Sequence, residues 1–430
     1  MAAAYTLARA GWSEVTVIER GDELGGLAGT FRRGEHFYPL AYHHILRRDR
    51  NLLYFLQRIG ALERVDWRKI RLLFRVGGAL YDLSTPADFL RFPMSYADKL
   101  RFVRLMLRCF RKDDWTDWQG KTAAELVDGW AGPGVRRAIF DPLTRLKFNL
   151  SCRDVSAAWL GARLHFREGS DALGYIPGCN WTKVLCDGVA RLLVDSGVSL
   201  RPGTRVRSAV SRGDRIVEIE LDDGQRAGAD LFVSTLPTEV YRKIASGDRT
   251  TELEAIGYTA IISAICVTQQ QLRPDFYWMN LASPACSACG LFRLESLNPT
   301  IGAPGETCLN FVTHVPDRNH DFFLRSDESL MTGFLADFRQ IFGFELEIAW
   351  SRLMRLPMYS PRFVTGYRNP PVRSTTFRNV YFAGNYRTFP SIATTGTALG
   401  SGIEAGEAIL ADHGQASDLA ASVSVFRFQR

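Results

Sequence analysis

The hydrophobic pattern changes period several times along the chain, and each change marks an element. Ala2-Ala3-Ala4-Tyr5-Thr6-Leu7-Ala8-Arg9-Ala10-Gly11 reads as a small-residue helix closed by a glycine C-cap. Glu14-Val15-Thr16-Val17-Ile18-Glu19 reads as a parallel strand that ends in an acid. Asn51 to Gly60 is helical with a glycine stop, and Thr122 with Glu125 makes a capping-box signature. Apolar runs at 260–267, 276–279 and 308–312 predict a sheet. Near the C-terminus Val380-Tyr381-Phe382-Ala383 is a short strand ending in Gly384. A Thr-rich loop follows, and then a helix of almost wholly small residues, Gly396 to Ala408. Such a helix lets another group approach its backbone closely, and its N-terminus suits an anionic ligand edge.

Composition sets bounds. The chain has 430 residues, 46% hydrophobic and 23% charged, enough for two or three domains. No run is long enough for a transmembrane helix and no secretory signal is evident. Eight scattered cysteines suit a reducing cytoplasm, and the lone Cys286-Ser-Ala-Cys289 lacks a second ligand pair, so no metal is expected. The net charge of +7 comes without a basic run interleaved with stacking aromatics, which argues against nucleic-acid binding. The sharpest basic feature is Asp98 to Lys112. Arg101, Arg104, Arg108 and Arg111 share one helical face, and Phe102, Val103, Met106, Cys109 and Phe110 fill much of the other. This fits a surface helix packing its apolar side inward. The alternative is peripheral contact with an anionic membrane, which would make the protein cytoplasmic but membrane-associated.

The helix at 2–11 and the strand at 14–19 match the second half of a dinucleotide-binding βαβ unit, where an acid at the strand end meets the adenosine ribose. The first strand and the G-x-G-x-x-G turn are absent, so roughly a dozen further residues are expected upstream of Met1. An ordinary capped helix followed by a strand reads equally well from residues 1–19. The next segment decides between them. Glu19-Arg20-Gly21-Asp22-Glu23-Leu24-Gly25-Gly26-Leu27-Ala28-Gly29-Thr30-Phe31, the run Ala229 to Pro237, and the C-terminal strand, Gly384 and helix occur in order, hundreds of residues apart. Together they resemble the flavin amine-oxidase superfamily, which includes protoporphyrinogen oxidases, phytoene-type desaturases and UDP-galactopyranose mutases.

The resemblance covers the chain to about residue 412 and implies an α/β fold: an FAD-binding Rossmann-like (GR2-type) nucleotide domain with an inserted α+β substrate domain. Residues 1–34, 191–240 and 358–412 would form the FAD-binding parts. Residues 35–190 would be a mostly helical insertion, 241–357 the substrate-domain sheet, and 413–430 a loose tail. The cofactor implied is FAD. Its contacts would be Glu19, Arg20, Gly25, Gly26, Leu27, Ala28, Val206, Gly384, Asn385, Gly396, Thr397 and Ala398. Asn385 stands where most of the superfamily has Asp or Glu.

Tyr42-His43-His44 follows the paired glycines, and in the mutases a histidine-containing loop of this region faces the flavin. His43 and His44 are therefore the candidate proton donors or acceptors, with structural hydrogen bonding or pairing to Asp49 as the alternative. Trp278, Tyr359, Pro361 and Arg362 are candidate pocket residues. The activity implied is an FAD-dependent oxidoreductase moving a hydride from a C–H or N–H bond of a sizeable, partly apolar small molecule to flavin N5. Two alternatives are a non-redox mutase and a truncated, flavin-free binding protein.

Overall fold

The computed structural model describes residues 1–83, 85–166, 172–281 and 286–426. Two short parallel strand pairs lie at the nucleotide end of the molecule. Thr16–Ile18 pairs with Ser199–Arg201, and Phe232–Ser234 pairs with Val380–Phe382. Among the described residues no strand joins the two pairs. Helices bridge them instead. The first helix, Ala2–Arg9, lies against the C-terminal helix Thr395–Asp412.

That contact explains the small residues. A Cβ on Gly402 would meet the Ala2 Cβ at 2.9 Å, and one on Gly406 would meet the Thr6 Cβ at 2.6 Å. Gly400 is equally close to Asn51 Nδ2, at 2.6 Å. The group that approaches this backbone along most of its length is therefore the protein itself.

The helices Arg50–Arg58 and Trp181–Asp195 join the same packing unit, through a core that includes Tyr5, Leu52, Phe55, Leu185, Val189 and Ile403. Both belong with the nucleotide end rather than with the insertion. The tail also belongs there. Leu419–Val425 is a helix whose Leu419 and Val423 are buried in that core, and Arg9 pairs with Asp418 at 3.1 Å. Residues 413–426 are thus docked, not loose, which corrects the sequence expectation. The i,i+4 apolar pair was too short a pattern to read.

The second body is a seven-stranded mixed sheet, in the order Trp350–Pro361, Tyr258–Thr268, Thr307–Val315, Gly290–Arg293, Trp278–Leu281, Leu72–Val76, Ala79–Asp82. All neighbours are antiparallel except Trp278–Leu281 with Leu72–Val76. Tyr258–Thr268 is buried throughout because both faces are covered. Ala260, Ile262, Ala264 and Cys266 point to one core, Ile261, Ile265 and Val267 to the other, at the two-residue period of a strand. Two of its strands come from the 35–190 stretch, which therefore supplies strands as well as helices.

A third core gathers helices around the buried Trp115, with Leu105, Leu126, Val127 and Leu160. Thr122 and Glu125 form the capping box their spacing predicted. The basic helix Tyr96–Arg111 turns Leu105 and Cys109 into this core. Val103 and Phe110, expected inside, are 42% and 40% exposed, and Leu100 and Leu107 are more exposed still. The helix sits on its neighbours along a stripe that buries Leu105 and Cys109 and partly covers Phe102 and Met106, leaving the other apolar residues outside.

Candidate functional site

One cavity of about 1440 Å³ runs between the nucleotide end and the seven-stranded sheet. At one end Glu19, Thr204 and Val206 come together. The Thr204 N–H donates to the Glu19 carbonyl at 2.8 Å, which ties the strand carrying the acid to the strand Val206–Arg212. The Glu19 carboxylate accepts the Gly21 N–H at 2.8 Å and so holds its own turn.

The paired glycines form the wall beside it. Gly25 has φ +139° and Gly26 +54°, backbone that side chains rarely adopt. A Cβ on Gly25 would meet Cys186 Sγ at 2.8 Å, whereas one on Gly26 would meet nothing within 4 Å. Gly26 lines the cavity, so a Cβ there would take up cavity space. Leu27, Ala28 and Arg20 share this wall, and so do Met1, Ala2 and Ala3 of the first helix.

Across the cavity stand Gly384, Asn385 and Ala398. The Gly384 N–H donates to Ser401 Oγ at 2.8 Å, which sets the strand end on the C-terminal helix. Asn385 Nδ2 donates to the Tyr359 carbonyl at 3.1 Å. An ionised Asp or Glu has no proton for that carbonyl, which accounts for an amide at this position.

Gly396 and Thr397 are not on the cavity wall. Thr397 closes a reciprocal cap with Thr394, at 3.0 and 2.8 Å. Gly396 faces the buried carboxylate of Asp49. A Cβ there would fall 1.6 Å from Oδ1. Asp49 also accepts from Thr394 Oγ1 at 3.2 Å and from the Leu52 N–H at 3.3 Å. The first turn of the C-terminal helix is thus shared: Gly396 faces an internal acid, while Thr394, Thr395 and Ala398 line the cavity, and the hydrogen bonds of Asp49 among the described residues go to neither histidine. Burial raises its carboxyl to about 6, against the opposing pull of these hydrogen bonds.

The other end of the cavity is an aromatic chamber. Tyr42, His43, His44, Trp278 and Tyr359 line it, together with Lys147, Arg163 and Trp159. His44 lies 5.6 Å from Tyr42, 5.5 Å from Tyr277 and 6.2 Å from Trp278, centroid to centroid. His43 Nδ1 bonds the Ala41 carbonyl at 2.8 Å, while His44 Nε2 is buried with no partner among the described residues. Burial lowers His43. Burial, His43, Arg163 and Lys147 lower His44 to about 3. Both imidazoles are neutral near pH 7. Pro361 and Arg362 stay off the wall.

Sequence reasoning missed Lys147 and Arg163. Lys147 closes the short helix Asp141–Phe148 and its Nζ lies 5.7 Å from the Tyr359 ring centroid. Burial, then Arg163, lowers it to about 7. Arg163 comes from Ala157–Phe166, with its guanidinium 5.7 Å from the Trp159 ring. The only signal was their place in the block Pro142 to Arg167, whose final residue lies outside the described residues.

The family model described as "Flavin containing amine oxidoreductase" matches residues 1–410. The chain belongs to the flavin-containing amine oxidoreductase family. It is an FAD-dependent oxidoreductase. Solved structures agree on the fold. A proposed protoporphyrinogen oxidase from Exiguobacterium sp. 255-15 superposes with a TM-score of 0.75 at 18% identity, covering 95% of both chains. A reduced UDP-galactopyranose mutase gives 0.72 at 12%, covering 99% of this chain and 95% of the other. A putrescine oxidase bound to putrescine gives 0.71 at 16%, covering 95% and 96%. No curated protein matches the sequence.

The residues present fit FAD. The bare backbone at Gly25–Gly26 allows close approach of a diphosphate. The cavity exceeds the roughly 300–1,000 Å³ of a single drug-sized site, leaving room for cofactor and substrate together.

Proposed function

We propose that this oxidoreductase takes a hydride from a C–H or N–H bond of a sizeable, partly apolar substrate, with the electron chemistry supplied at flavin N5. The observation that supports this reading is the continuity of one cavity from the glycine wall to the aromatic chamber. Glu19 and Val206 would hold the adenosine end. Arg20 and Gly25 to Ala28 would flank the pyrophosphate, and Gly384, Asn385 and Ala398 the remainder. His44, neutral and with Nε2 unpartnered, would accept or donate one hydrogen bond at the substrate, and His43 would orient its neighbour. The aromatic walls exclude water. Anaerobic mixing with isoprenoid and tetrapyrrole candidates, read as bleaching of the flavin absorption, tests the reading. If no member of these classes bleaches it, the reading fails.

A mutase-like chemistry would call for a pair of arginines on a diphosphate. Among the described residues, the aromatic cluster carries Arg163 beside Lys147 instead.

No helix among the described residues is long and apolar enough to cross a membrane. We propose peripheral contact through Tyr96–Arg111. Tyr96, Leu100, Val103, Leu107 and Phe110 are exposed at three- and four-residue spacing, and Arg104, Arg108 and Arg111 are exposed beside them. The arginines would repel a second copy facing them and would attract anionic lipid. Sedimentation with phosphatidylserine vesicles, lost in Leu100→Glu/Leu107→Glu and absent with phosphatidylcholine, is expected. Failure to sediment with either lipid overturns it.

A further inference from the structure

The chain has seven lysines, and Lys147 differs from the other six in what surrounds its nitrogen. Lys99 donates to the Leu90 carbonyl at 2.6 Å, Lys112 pairs with Asp117 at 3.0 Å, and Lys183 pairs with Glu23 and Asp187 at 2.9 Å. Lys243 reaches Glu239 at 3.7 Å. Lys69 and Lys121 are exposed, with the Lys121 Nζ 4.5 Å from the Trp118 ring centroid. An oxygen partner or open water favours an ammonium over an amine.

Lys147 is half-buried on the aromatic part of the cavity wall. It makes no ion pair and no hydrogen bond among the described residues, and its Nζ lies over the Tyr359 ring. Phe148, the next residue, packs edge-on against Trp159 at 4.6 Å, which fixes the helix Asp141–Phe148 against Ala157–Phe166. Arg163 approaches from that second helix. Burial, followed by the Arg163 charge, brings Lys147 down to about 7. At pH 7 about half of such side chains are neutral amines, against on the order of one in a few thousand for an unperturbed lysine. A desolvated amine beside a second cation is the setting in which lysine attacks carbonyl carbon.

We propose that Lys147 is a carbonyl-capturing site: its amine condenses with an aldehyde or ketone on an apolar or aromatic body that enters the chamber, and forms a reversible imine. The amine nitrogen adds to the carbonyl carbon, and one N–H proton moves to the oxygen. The second N–H proton then leaves with that oxygen as water, and a C=N bond remains. No electrons are gained or lost. The rings of Trp159, Trp278 and Tyr359 would cover the body of the bound molecule. The step uses only the chain's own amine, so it stands apart from flavin binding. It also complements the activity proposed for the same cavity. A carbon that gives up a hydride beside nitrogen or oxygen ends as an imine or a carbonyl, the class of molecule that Lys147 captures.

The test is reductive trapping. The protein, with and without added FAD, is incubated at pH 7 with benzaldehyde and sodium cyanoborohydride, which fixes an imine as a secondary amine. The benzylated lysines are located by peptide mass spectrometry. Lys147 is expected to be trapped about tenfold or more faster than the exposed Lys69 and Lys121, because its larger amine fraction outweighs its lower nucleophilicity and narrower access. Its rate should saturate with benzaldehyde, since binding in the chamber precedes the chemistry, while the rates at Lys69 and Lys121 stay proportional to it. Lys147→Arg, which keeps a cation in place, should carry one trapped lysine fewer and leave trapping at Lys69 and Lys121 unchanged. Trapping at Lys147 that is absent, no faster than at Lys69 or Lys121, or proportional to benzaldehyde up to its solubility overturns the proposal. The arm without FAD decides carbonyl capture by itself. If no FAD is taken up, the oxidoreductase reading fails separately.

Discussion

The Cα of Gly396 lies so close to the carboxylate of Asp49 that an added methyl carbon would fall 1.6 Å from Oδ1. Residues 49 and 396 join the start of Arg50–Arg58 to the start of Thr395–Asp412, with one acid satisfying donors from both. Gly396→Ala is expected to destabilise the protein by about 2–4 kcal/mol through overpacking at a buried charge. Asp49→Ala/Gly396→Ala should cost less than the sum of the single changes. Urea unfolding of the four proteins measures the coupling.

The same acid gives a pH signature. Its carboxyl is raised from 3.8 to about 6, first by burial. A raised folded-state pKa means that the folded protein holds this proton more tightly than the unfolded chain. The stabilisation is therefore full below about pH 4 and is lost as pH rises through about 6, a change on the order of 3 kcal/mol. Asp49→Asn should remove this component. The difference between wild type and variant, followed by urea midpoint across that window, should slope; parallel curves would show that Asp49 does not titrate there.

Asn385 joins the C-terminal motif to the sheet strand through the Tyr359 carbonyl. Asn385→Asp would set a carboxylate against that carbonyl and is expected to lower stability by about 1–3 kcal/mol. Asn385→Ala should cost less, since it leaves no charge behind. Thermal melts of both variants check the order, and an Asp variant as stable as wild type would mean that the hydrogen bond is dispensable.

The elements that were legible in the sequence are those whose signal is local. The capping box at Thr122 and Glu125, the strand Val380–Phe382 and the sheet runs around Tyr258–Thr268 and Thr307–Val315 declare themselves within a dozen residues. Most of the glycine wall was legible for the same reason. The illegible parts depend on partners far along the chain. Gly402 and Gly406 say that something comes close, but not that it is Ala2 and Thr6. Asp49 and Thr394 are 345 residues apart. Lys147 and Arg163 sit on short helices whose patterns show a covered side without showing what it faces. Leu419 and Val423 are a single apolar pair in a polar stretch, which propensity alone would leave unfolded.

The central claim is that the cavity walled by Gly25 and Gly26 holds FAD. The most direct measurement is the visible absorption of the purified protein after incubation with FAD and removal of the free cofactor, with Gly25→Ala alongside. A Cβ at Gly25 would press on Cys186 Sγ and force a strained backbone at φ +139°. The account predicts a yellow wild type holding about one flavin per chain, and a variant that stays folded but binds FAD about tenfold or more weakly. A wild type that stays colourless, or a Gly25→Ala variant that retains flavin as tightly as wild type, would contradict it.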